Sequence, residues 1–360
     1  MNESGPRRDA SERLLAAGIA AAESGALPDR LLRFVARRFC ERRLASAARG
    51  WSPLSLADWK GQLSDGPIAP EPASANRQHY EVPTDFFSAV LGPRLKYSCC
   101  FWPPGTNTLA EAEVAALETY RSRAGIQDGM RVLDLGCGWG ALALWLAESC
   151  PGVHVTAVSN SSTQQAYIRS RARTRGLTNV DAVAADVNSF DPGRRFDRVV
   201  SVEMFEHLRN YRALLARIRS WLNPDGRLFV HVFAHNRLTY GFEPGGAGDW
   251  VARHFFSGGL MPGRDLLPCF GEDFQLERDW WWSGRHYQLT AEAWLSQMDA
   301  EQEEVLQILS RTQGQAEARR WYRRWRLFFI ACAEQWGFSG GNEWGVGHYL
   351  LAPRFDNADC

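Results

Sequence analysis

Short apolar runs alternate with helical patterns through the middle of the chain. Residues 132–135 are apolar except for Asp134, which is typical of a buried parallel strand, and residues 141–147 then follow a helical pattern. The same criteria predict further strands at 154–158, 180–184, 196–202 and 227–233. Helices are predicted at 109–120, 161–175 and 211–222. Strands that alternate with helices indicate an α/β fold with a doubly wound parallel sheet, whose ligands lie beyond the carboxyl ends of the strands.

The two ends of the chain are predicted to be mainly helical. Residues 1–11 are polar and are expected to be disordered, and two helices are predicted between residues 11 and 49, the second beginning after Pro28 and Asp29. Beyond a segment at 235–282 that is rich in Gly, Phe and Trp, helices are predicted at 291–310 and 315–334. Residues 349–351 are predicted to form a last edge strand.

The first predicted strand of the sheet runs into a glycine-rich turn. Gly136, Gly138 and Gly140 separate the strand from the following helix, so the backbone can approach a ligand closely beside free helix N–H groups. The pattern D-x-G-x-G-x-G, with Asp134 inside the strand end, favours S-adenosylmethionine (SAM) over NAD, because SAM carries an ammonium group and no phosphate. A dinucleotide site or a bare strand–helix turn is the alternative interpretation.

Composition sets limits on partners and location. The 360 residues carry a formal net charge of +0, which gives no overall attraction to nucleic acid. The eight cysteines form no C-x-x-C pair, no signal peptide is visible and no apolar run has the length of a membrane span. No metal site is predicted. A cytoplasmic protein with free thiols and no membrane span is therefore expected.

The second N-terminal helix is strongly basic. Its arginines are Arg30, Arg33, Arg37, Arg38, Arg42 and Arg43. A solvated helix face explains this pattern, and peripheral contact with an anionic membrane surface is the sharper alternative. The sequence leaves the oligomeric state open, a homodimer included.

The ends of the second and third strands carry polar residues. Asn160 stands where an acid usually holds the cofactor ribose, and Gln164 is its expected partner; a cap of the next helix is the alternative role of Asn160. After the third strand, Asp186 is placed to accept from an adenine amino group and Val187 to pack on the ring. A turn or helix cap is the alternative role of Asp186.

The fourth strand ends in the strongest catalytic signal of the chain. Glu203, Glu206 and His207 fall within five residues at the expected mouth of the pocket. Buried charges are costly unless they are paired or used, so an acid–base role is predicted, with a structural ion-pair cluster as the alternative.

Together these motifs resemble the cyclopropane fatty acid synthase superfamily of SAM-dependent methyltransferases, and most of all its coclaurine/pavine N-methyltransferase branch. The resemblance extends from about residue 28 to residue 351. It is carried by HYEVPTDFF (79–87), LKYSCCFW (95–102), RVLDLGCGWG (131–140), VSNSSTQQAYI (158–168), SVEMFEHLRNY (201–211), GRHYQLTAEAWLSQMD (284–299) and EWGVGHYLL (343–351).

The resemblance implies a Rossmann-like class I methyltransferase sheet with an N-terminal helical lid and an inserted cap. The corresponding segments are 1–27, a helical or disordered N-terminus; 28–75, an N-terminal helical segment; 76–235, the SAM-binding core; 236–290, the cap; and 291–360, helices and a last strand that complete the core. It implies cofactor contacts from Tyr97, Ser98, Gly136, Asn160, Gln164, Asp186 and Val187, beside Asp134 and Gly138 from the glycine turn.

Two reactions are compatible with the resemblance. In N-methylation of a small cyclic or aromatic amine, Glu206 and His207 accept the amine proton, while Glu203 and Glu81 attract the cationic amine. In lipid cyclopropanation, a bound bicarbonate removes a proton, and its site corresponds to Cys99, Glu206, His231 and Tyr287. Glu203 favours the amine, because a carboxylate suits a cation better than an acyl chain. Cys332 is interpreted as a packing residue.

Overall fold

The computed structural model describes residues 5–48, 54–70, 83–242 and 249–354. Glu81 lies outside the described residues. Within these ranges the chain forms one seven-stranded sheet with helices on both faces, a small two-stranded sheet, and a helical layer built from the two ends of the chain.

The sheet confirms the predicted α/β fold. Its strands are β1 (Arg131–Leu135), β2 (His154–Ser159), β3 (Val180–Ala184), β4 (Phe196–Val202), β5 (Leu222–His235), β8 (Phe274–Ser283) and β9 (Trp344–Pro353). They lie in the order β3-β2-β1-β4-β5-β9-β8. The first five strands are parallel, and β9 and β8 are antiparallel to their neighbours. The order reverses between β1 and β4, where ligands bind in such sheets.

The helices and the remaining strands complete the chain order. The helices are α1 (Gly5–Ser24), α2 (Asp29–Ala48), α3 (Leu56–Gln62), α4 (Thr84–Val90), α5 (Leu109–Ala124), α6 (Ala141–Ser149), α7 (Ser162–Thr174), α8 (Tyr211–Trp221), α9 (Trp250–His254), α10 (Gly284–Ala300), α11 (Gln302–Gln313) and α12 (Gln315–Gly337). The small sheet pairs β6 (Tyr240–Gly241) with β7 (Leu260–Met261).

Successive residues of the central strands face opposite sides of the sheet and enter two separate cores. Val132 of β1 packs with one core, which also contains helices α5 and α10, whereas Leu133 packs with the other, which contains α8. Both faces of the sheet are therefore covered. This explains why the central strands are continuous apolar runs with few polar positions.

Three sequence expectations differ from the structure. Helix α1 already begins at Gly5, inside the segment expected to be disordered. Residues 349–351 belong to β9, which lies between β5 and β8, so they do not form the sheet edge. The strand at this edge of the sheet is β8, which falls within the predicted cap at 236–290. The sequence pattern did not predict β8, because half of its residues are charged or exposed. An edge strand needs apolar side chains only where it contacts the core.

The N-terminal helices lie on the C-terminal helix α12 and are held there by ion pairs. Glu334 of α12 pairs with Arg33 and Arg37 of α2, and Arg326 pairs with Asp29. Glu23 of α1 is buried and pairs with Arg324. Two arginines of the basic helix therefore form ion pairs with another helix of the same chain. None of the helices within the described ranges is both long and apolar enough to cross a membrane.

Candidate active site

The glycine turn opens a cleft at the carboxyl ends of β1 and β4. The cleft is lined by residues from the turn, from the segment 95–98, from α7 and from the end of β4: Leu95, Lys96, Tyr97, Ser98, Asp134, Gly136, Cys137, Gly138, Gln164, Val202 and Glu203 are among them. Gly136, Gly138 and Gly140 all have positive φ, which glycine adopts without the steric cost that a side chain would add. The structure therefore brings the predicted glycine turn and the β4 motif into one site.

Two buried polar atoms in the cleft have no hydrogen-bond partner among the described residues. Asp134 is 2% exposed and its Oδ2 accepts no hydrogen bond from this part of the chain, and the Nε2 of Gln164 donates none to it. Burial raises the pKa of Asp134 to about 7. A buried acceptor and a buried donor that both lack partners indicate a polar ligand that supplies a donor to the first and an acceptor to the second. A cofactor with an ammonium and several acceptors, such as SAM, fits them.

The other predicted cofactor residues have different surroundings. Tyr97 lies in the cleft between the rings of Phe87 and Trp294. The Ser98 hydroxyl accepts from Lys96 Nζ at 2.7 Å. Asn160 is exposed, and the helix cap that it was alternatively expected to form is made by Ser161 instead.

Asp186 and Val187 follow β3, as predicted. Asp186 Oδ1 accepts from the backbone N–H of Asn188 at 2.8 Å, which is the turn-capping bond that the alternative interpretation anticipated. Val187 is half-buried and packs against the second core.

Glu203 is the best-satisfied carboxylate of the site. Its Oε1 accepts from the Cys99 backbone N–H at 2.9 Å and lies 3.0 Å from His231 Nε2. Its Oε2 accepts from the Tyr287 hydroxyl at 2.8 Å. Burial raises the pKa of Glu203, while Lys96, the Cys99 N–H and the Tyr287 hydroxyl act in the opposite direction. Three donors and a nearby cation favour the ionised carboxylate, despite its burial.

The backbone at Glu203 is strained. Its φ of +48° lies in the left-handed region, which costs a residue with a Cβ about 1–2 kcal/mol. Strain of this kind persists where surrounding contacts over-determine the conformation, and the three hydrogen bonds to the carboxylate are such contacts. The chain turns here so that the Glu203 side chain reaches the cleft.

Glu206 and His207 lie apart from these donors. Glu206 is completely buried; its Oε1 accepts from the Phe233 backbone N–H at 2.8 Å, and its Oε2 has no partner within the described ranges. Burial, followed by the charge of Glu203, raises the pKa of Glu206 well above its ordinary value. Of two neighbouring buried carboxyl groups, the one with fewer donors keeps the proton, which here is Glu206. His207 is half-buried, 4.7 Å from the Phe256 ring.

The four residues of the alternative bicarbonate set do not form one empty anion site. Cys99, His231 and Tyr287 all direct their donors at Glu203, and Glu206 bonds to the backbone elsewhere. Cys332 is half-buried among core residues, and burial raises the pKa of its thiol to about 12, which fits the packing role.

Aromatic rings form a continuous wall from the donors of Glu203 to His207. Tyr287 stacks on Trp336 at 4.6 Å and 7°, Trp336 contacts Phe233 at 5.6 Å, and Phe233 contacts Phe256 at 5.7 Å. Of the tryptophans in the C-terminal part of the sequence, Trp336 belongs to this wall.

Sequence reasoning gave no role to Lys96, His348 or Arg123, which the structure places around Glu203. His348 Nε2 lies 2.9 Å from His231 Nδ1, and Arg123 Nη1 lies 2.6 Å from His348 Nδ1. His231 and His348 are direct register partners on β5 and β9. A lone histidine in an otherwise apolar strand was the available signal for His348.

The fold and the cleft define a class I SAM-dependent methyltransferase, and comparisons with known proteins agree. Residues 70–341 match the family model described as "Mycolic acid cyclopropane synthetase". The chain therefore belongs to this family of SAM-dependent methyltransferases.

Curated relatives and solved structures refine the relationship. The chain is 36% identical over 339 residues to (S)-coclaurine N-methyltransferase of Thalictrum flavum subsp. glaucum, covering 92% of this chain and 94% of the relative. It is 30% identical over 259 residues to the cyclopropane-fatty-acyl-phospholipid synthase of Escherichia coli K12, covering 71% and 63%. The crystal structure of a coclaurine N-methyltransferase bound to N-methylheliamine and SAH superposes with a TM-score of 0.88 at 34% identity, covering 95% and 99%.

Proposed function

We propose that this enzyme transfers the methyl group of SAM to the nitrogen of a small cyclic or aromatic amine. The observation that carries the proposal is the Glu203 carboxylate, which faces the cleft and is held by three donors. An anion placed there attracts a cationic amine and stabilises the ammonium that forms during transfer. The relatives named for coclaurine, tetrahydroprotoberberine and pavine are N-methyltransferases, which supports the same reaction class.

The cofactor supplies an electrophilic methyl group, so the protein has to orient a neutral amine lone pair towards it. In our proposal, Asp134 and Gln164 complete their hydrogen bonds with the cofactor, and Tyr97, Ser98, Asn160, Asp186 and Val187 enclose it. Gly136 and Gly138 let the backbone approach it closely.

The amine proton needs an acceptor. We keep Glu206 and His207 as the predicted acceptors, directly or through water, and Glu81 as a second substrate-facing acid. The raised pKa of Glu206 disfavours its ionised, accepting form near neutral pH, which leaves His207 as the better candidate of the two. The aromatic wall beside His207 offers stacking partners for a ring-bearing amine.

The lipid alternative is disfavoured by the same geometry. The donors that a bicarbonate would need are already bonded to Glu203, and a second anion would be placed against that carboxylate. A buried carboxylate also suits an acyl chain poorly.

Methyl transfer from labelled SAM tests the proposal. The full chain is incubated in parallel with a panel of cyclic and aromatic amines and with unsaturated phospholipid vesicles. We expect label on an amine, with a product heavier by one methyl group. Label on lipid acyl chains, and none on any amine, would overturn the proposal.

The substitution Gly136→Ala tests the cofactor turn. A Cβ at Gly136 would lie 2.7 Å from the Met204 sulfur, at a φ of +80° that already costs about 1–2 kcal/mol for a residue with a side chain. We expect SAH binding, measured by calorimetry, to weaken by about tenfold or more. Gly176→Ala is the matched control, because Gly176 also has positive φ but open space around it. Equal SAH affinity in both variants would contradict the proposed cofactor turn.

We propose that the outer surface of α2 contacts a second copy of this chain. Leu31, Phe34 and Val35 are exposed there as a strip along one helix side. Of the basic residues, Arg33 and Arg37 pair inward and Arg38 pairs with Glu41. Three of the six arginines of α2 are therefore already paired with acids of this chain, which weakens the attraction of the helix to an anionic membrane. Sedimentation of the wild type and of Phe34→Glu tests the proposed contact. We expect the wild type to be a dimer and the variant to be a monomer. A monomeric wild type that binds anionic vesicles would overturn the proposal.

We also propose a cytoplasmic location. The seven cysteines within the described residues are all free thiols, which suits a reducing compartment. Fractionation of the source cells for the native protein tests this location.

A further inference from the structure

Behind Glu203, away from the cleft, three side chains form a single line of hydrogen bonds. Arg123 Nη1 is 2.6 Å from His348 Nδ1, His348 Nε2 is 2.9 Å from His231 Nδ1, and His231 Nε2 is 3.0 Å from Glu203 Oε1. His231 and His348 are completely buried, and Arg123, at the end of α5, is half-buried. Each imidazole uses both nitrogens within this line, so neither is available for another partner.

Arg123, at the start of the line, determines which atom donates and which accepts in every hydrogen bond of the line. A guanidinium group only donates, so His348 Nδ1 has to accept. The proton of a neutral His348 is then on Nε2, which donates to His231 Nδ1. His231 is in turn protonated on Nε2 and donates to Glu203. Burial lowers the pKa of both histidines well below the ordinary value, which is consistent with two neutral imidazoles.

The reverse direction is blocked. A proton on Glu203 Oε1 would require His231 Nε2 to accept and its Nδ1 to donate to His348. The Nδ1–H of His348 would then face the N–H of Arg123, two donors at 2.6 Å. Protonation at the other oxygen, Oε2, would require the Tyr287 hydroxyl to stop donating. The line therefore favours the ionised carboxylate.

We propose that Arg123 and His348 are positioning residues of the methyl-transfer site, which act through His231 to hold Glu203 in place as an anion. This inference rests on the proposed amine methylation and deepens it. Arg123 supplies the charge that starts the line. Within the described residues no carboxylate lies at ion-pair distance from it, and its guanidinium lies over the rings of Trp280 and Trp282, at 4.9 and 5.5 Å from their centroids.

Other charged and titratable groups also face the two ends of the line. Around Glu203 these are Lys96, Glu206, Cys99, Tyr287, Cys332 and the buried Tyr120. Around His348 they are Arg123, His231 and Lys96, with Trp282 and Tyr120 as ring contacts. Lys96 donates to Ser98 and Cys99 and stays in place in the variants below, so a change at Arg123 reports on the line alone.

The pH profile of kcat/KM for the best amine of the panel tests the proposal. The rate falls at low pH as Glu203 becomes protonated. We expect Arg123→Met to move this acidic limb upward by about one pH unit, which is the effect of losing one directed hydrogen bond to a charged carboxylate. The KM for the amine should rise, and Arg123→Lys, which keeps a charged donor, should restore the wild-type profile. Arg121→Met, on the same helix turn, is the control. A profile of Arg123→Met that superimposes on the wild-type profile would overturn the proposal.

Imidazole nitrogen shifts in ¹⁵N-histidine-labelled protein give a readout that needs no substrate. His231 and His348, assigned by single substitutions, are expected as Nε2–H tautomers from pH 6 to pH 8. His348 is expected to lose this fixed tautomer in Arg123→Met. An Nδ1–H tautomer at either residue of the wild type would overturn the line. If no amine is methylated, the proposed function fails, whereas this measurement still decides whether the directed line exists.

Discussion

Replacing Glu203 by glutamine is expected to reduce kcat/KM for amine methylation by about 10²–10³-fold, the loss seen when one preorganised electrostatic group is removed from an active site. Glutamine has the same shape, and its oxygen can still accept from Cys99 and His231, so the fold is retained. What disappears is the negative charge that meets the amine. The part of the acidic limb that reports protonation of Glu203 should disappear with it, because this carboxylate no longer titrates.

The stability of this variant is expected to move in the opposite direction. Burial raises the pKa of Glu203, so at neutral pH the folded protein holds an ionised group that burial disfavours. A neutral glutamine removes this cost, and Tm should stay the same or rise. Active sites commonly trade stability for function in this way. A fall in Tm that matches the fall in activity would mean that Glu203 is structural.

Two comparison variants complete the experiment. Glu343→Gln makes the same change at a carboxylate that lies near His235, outside the donor set of Glu203, and should leave kcat/KM close to the wild-type value. Glu206→Gln separates the two neighbouring carboxyl groups of the site. A loss as large as that of Glu203→Gln would assign the proton-accepting role to Glu206, whereas a smaller loss fits its protonated state.

The core of the sheet was predictable because the hydrophobicity of each strand reflects its burial and can be read from neighbouring residues alone. Strands β1, β2 and β4 are largely apolar and mostly buried, and the residues at their ends include polar ones that meet at the cleft. The adjacency of Asp134 and Glu203 follows from β1 and β4 being neighbours in a doubly wound sheet.

The residues behind Glu203 could not be predicted from local patterns. His348 contacts His231 because β9 pairs with β5 in a register that joins residues far apart in the sequence. No local pattern specifies that pairing, and Arg123 reaches the same point from a helix. Edge strand β8 was missed because charged residues precede its tryptophans. Local patterns therefore located the groups that face the ligand, whereas the groups behind them depend on long-range register.

Replacing Gly284 by alanine is expected to give the largest loss of stability among the glycine variants. Gly284 begins α10, and a Cβ there would lie well inside van der Waals contact with the backbone carbonyl oxygens of Trp336 and Trp344. Backbone atoms fixed in a helix and a strand cannot rotate away, unlike a flexible side chain. We expect a destabilisation of about 3 kcal/mol, the upper end for overpacking. Thermal unfolding should show it as a Tm lower by about 4 °C.

The same substitution should also reach the active site. Tyr287 lies one turn beyond Gly284 on α10 and donates to Glu203 Oε2 at 2.8 Å, so a displaced helix start weakens that bond. Gly61→Ala in α3 is the control, because nothing surrounds that position and alanine favours a helix by up to about 1 kcal/mol. If Gly284→Ala unfolded at the wild-type Tm, α10 would be able to shift away from the added Cβ without a loss of stability. If Tm fell while the pH profile stayed unchanged, Tyr287 would not depend on this contact for its place beside Glu203.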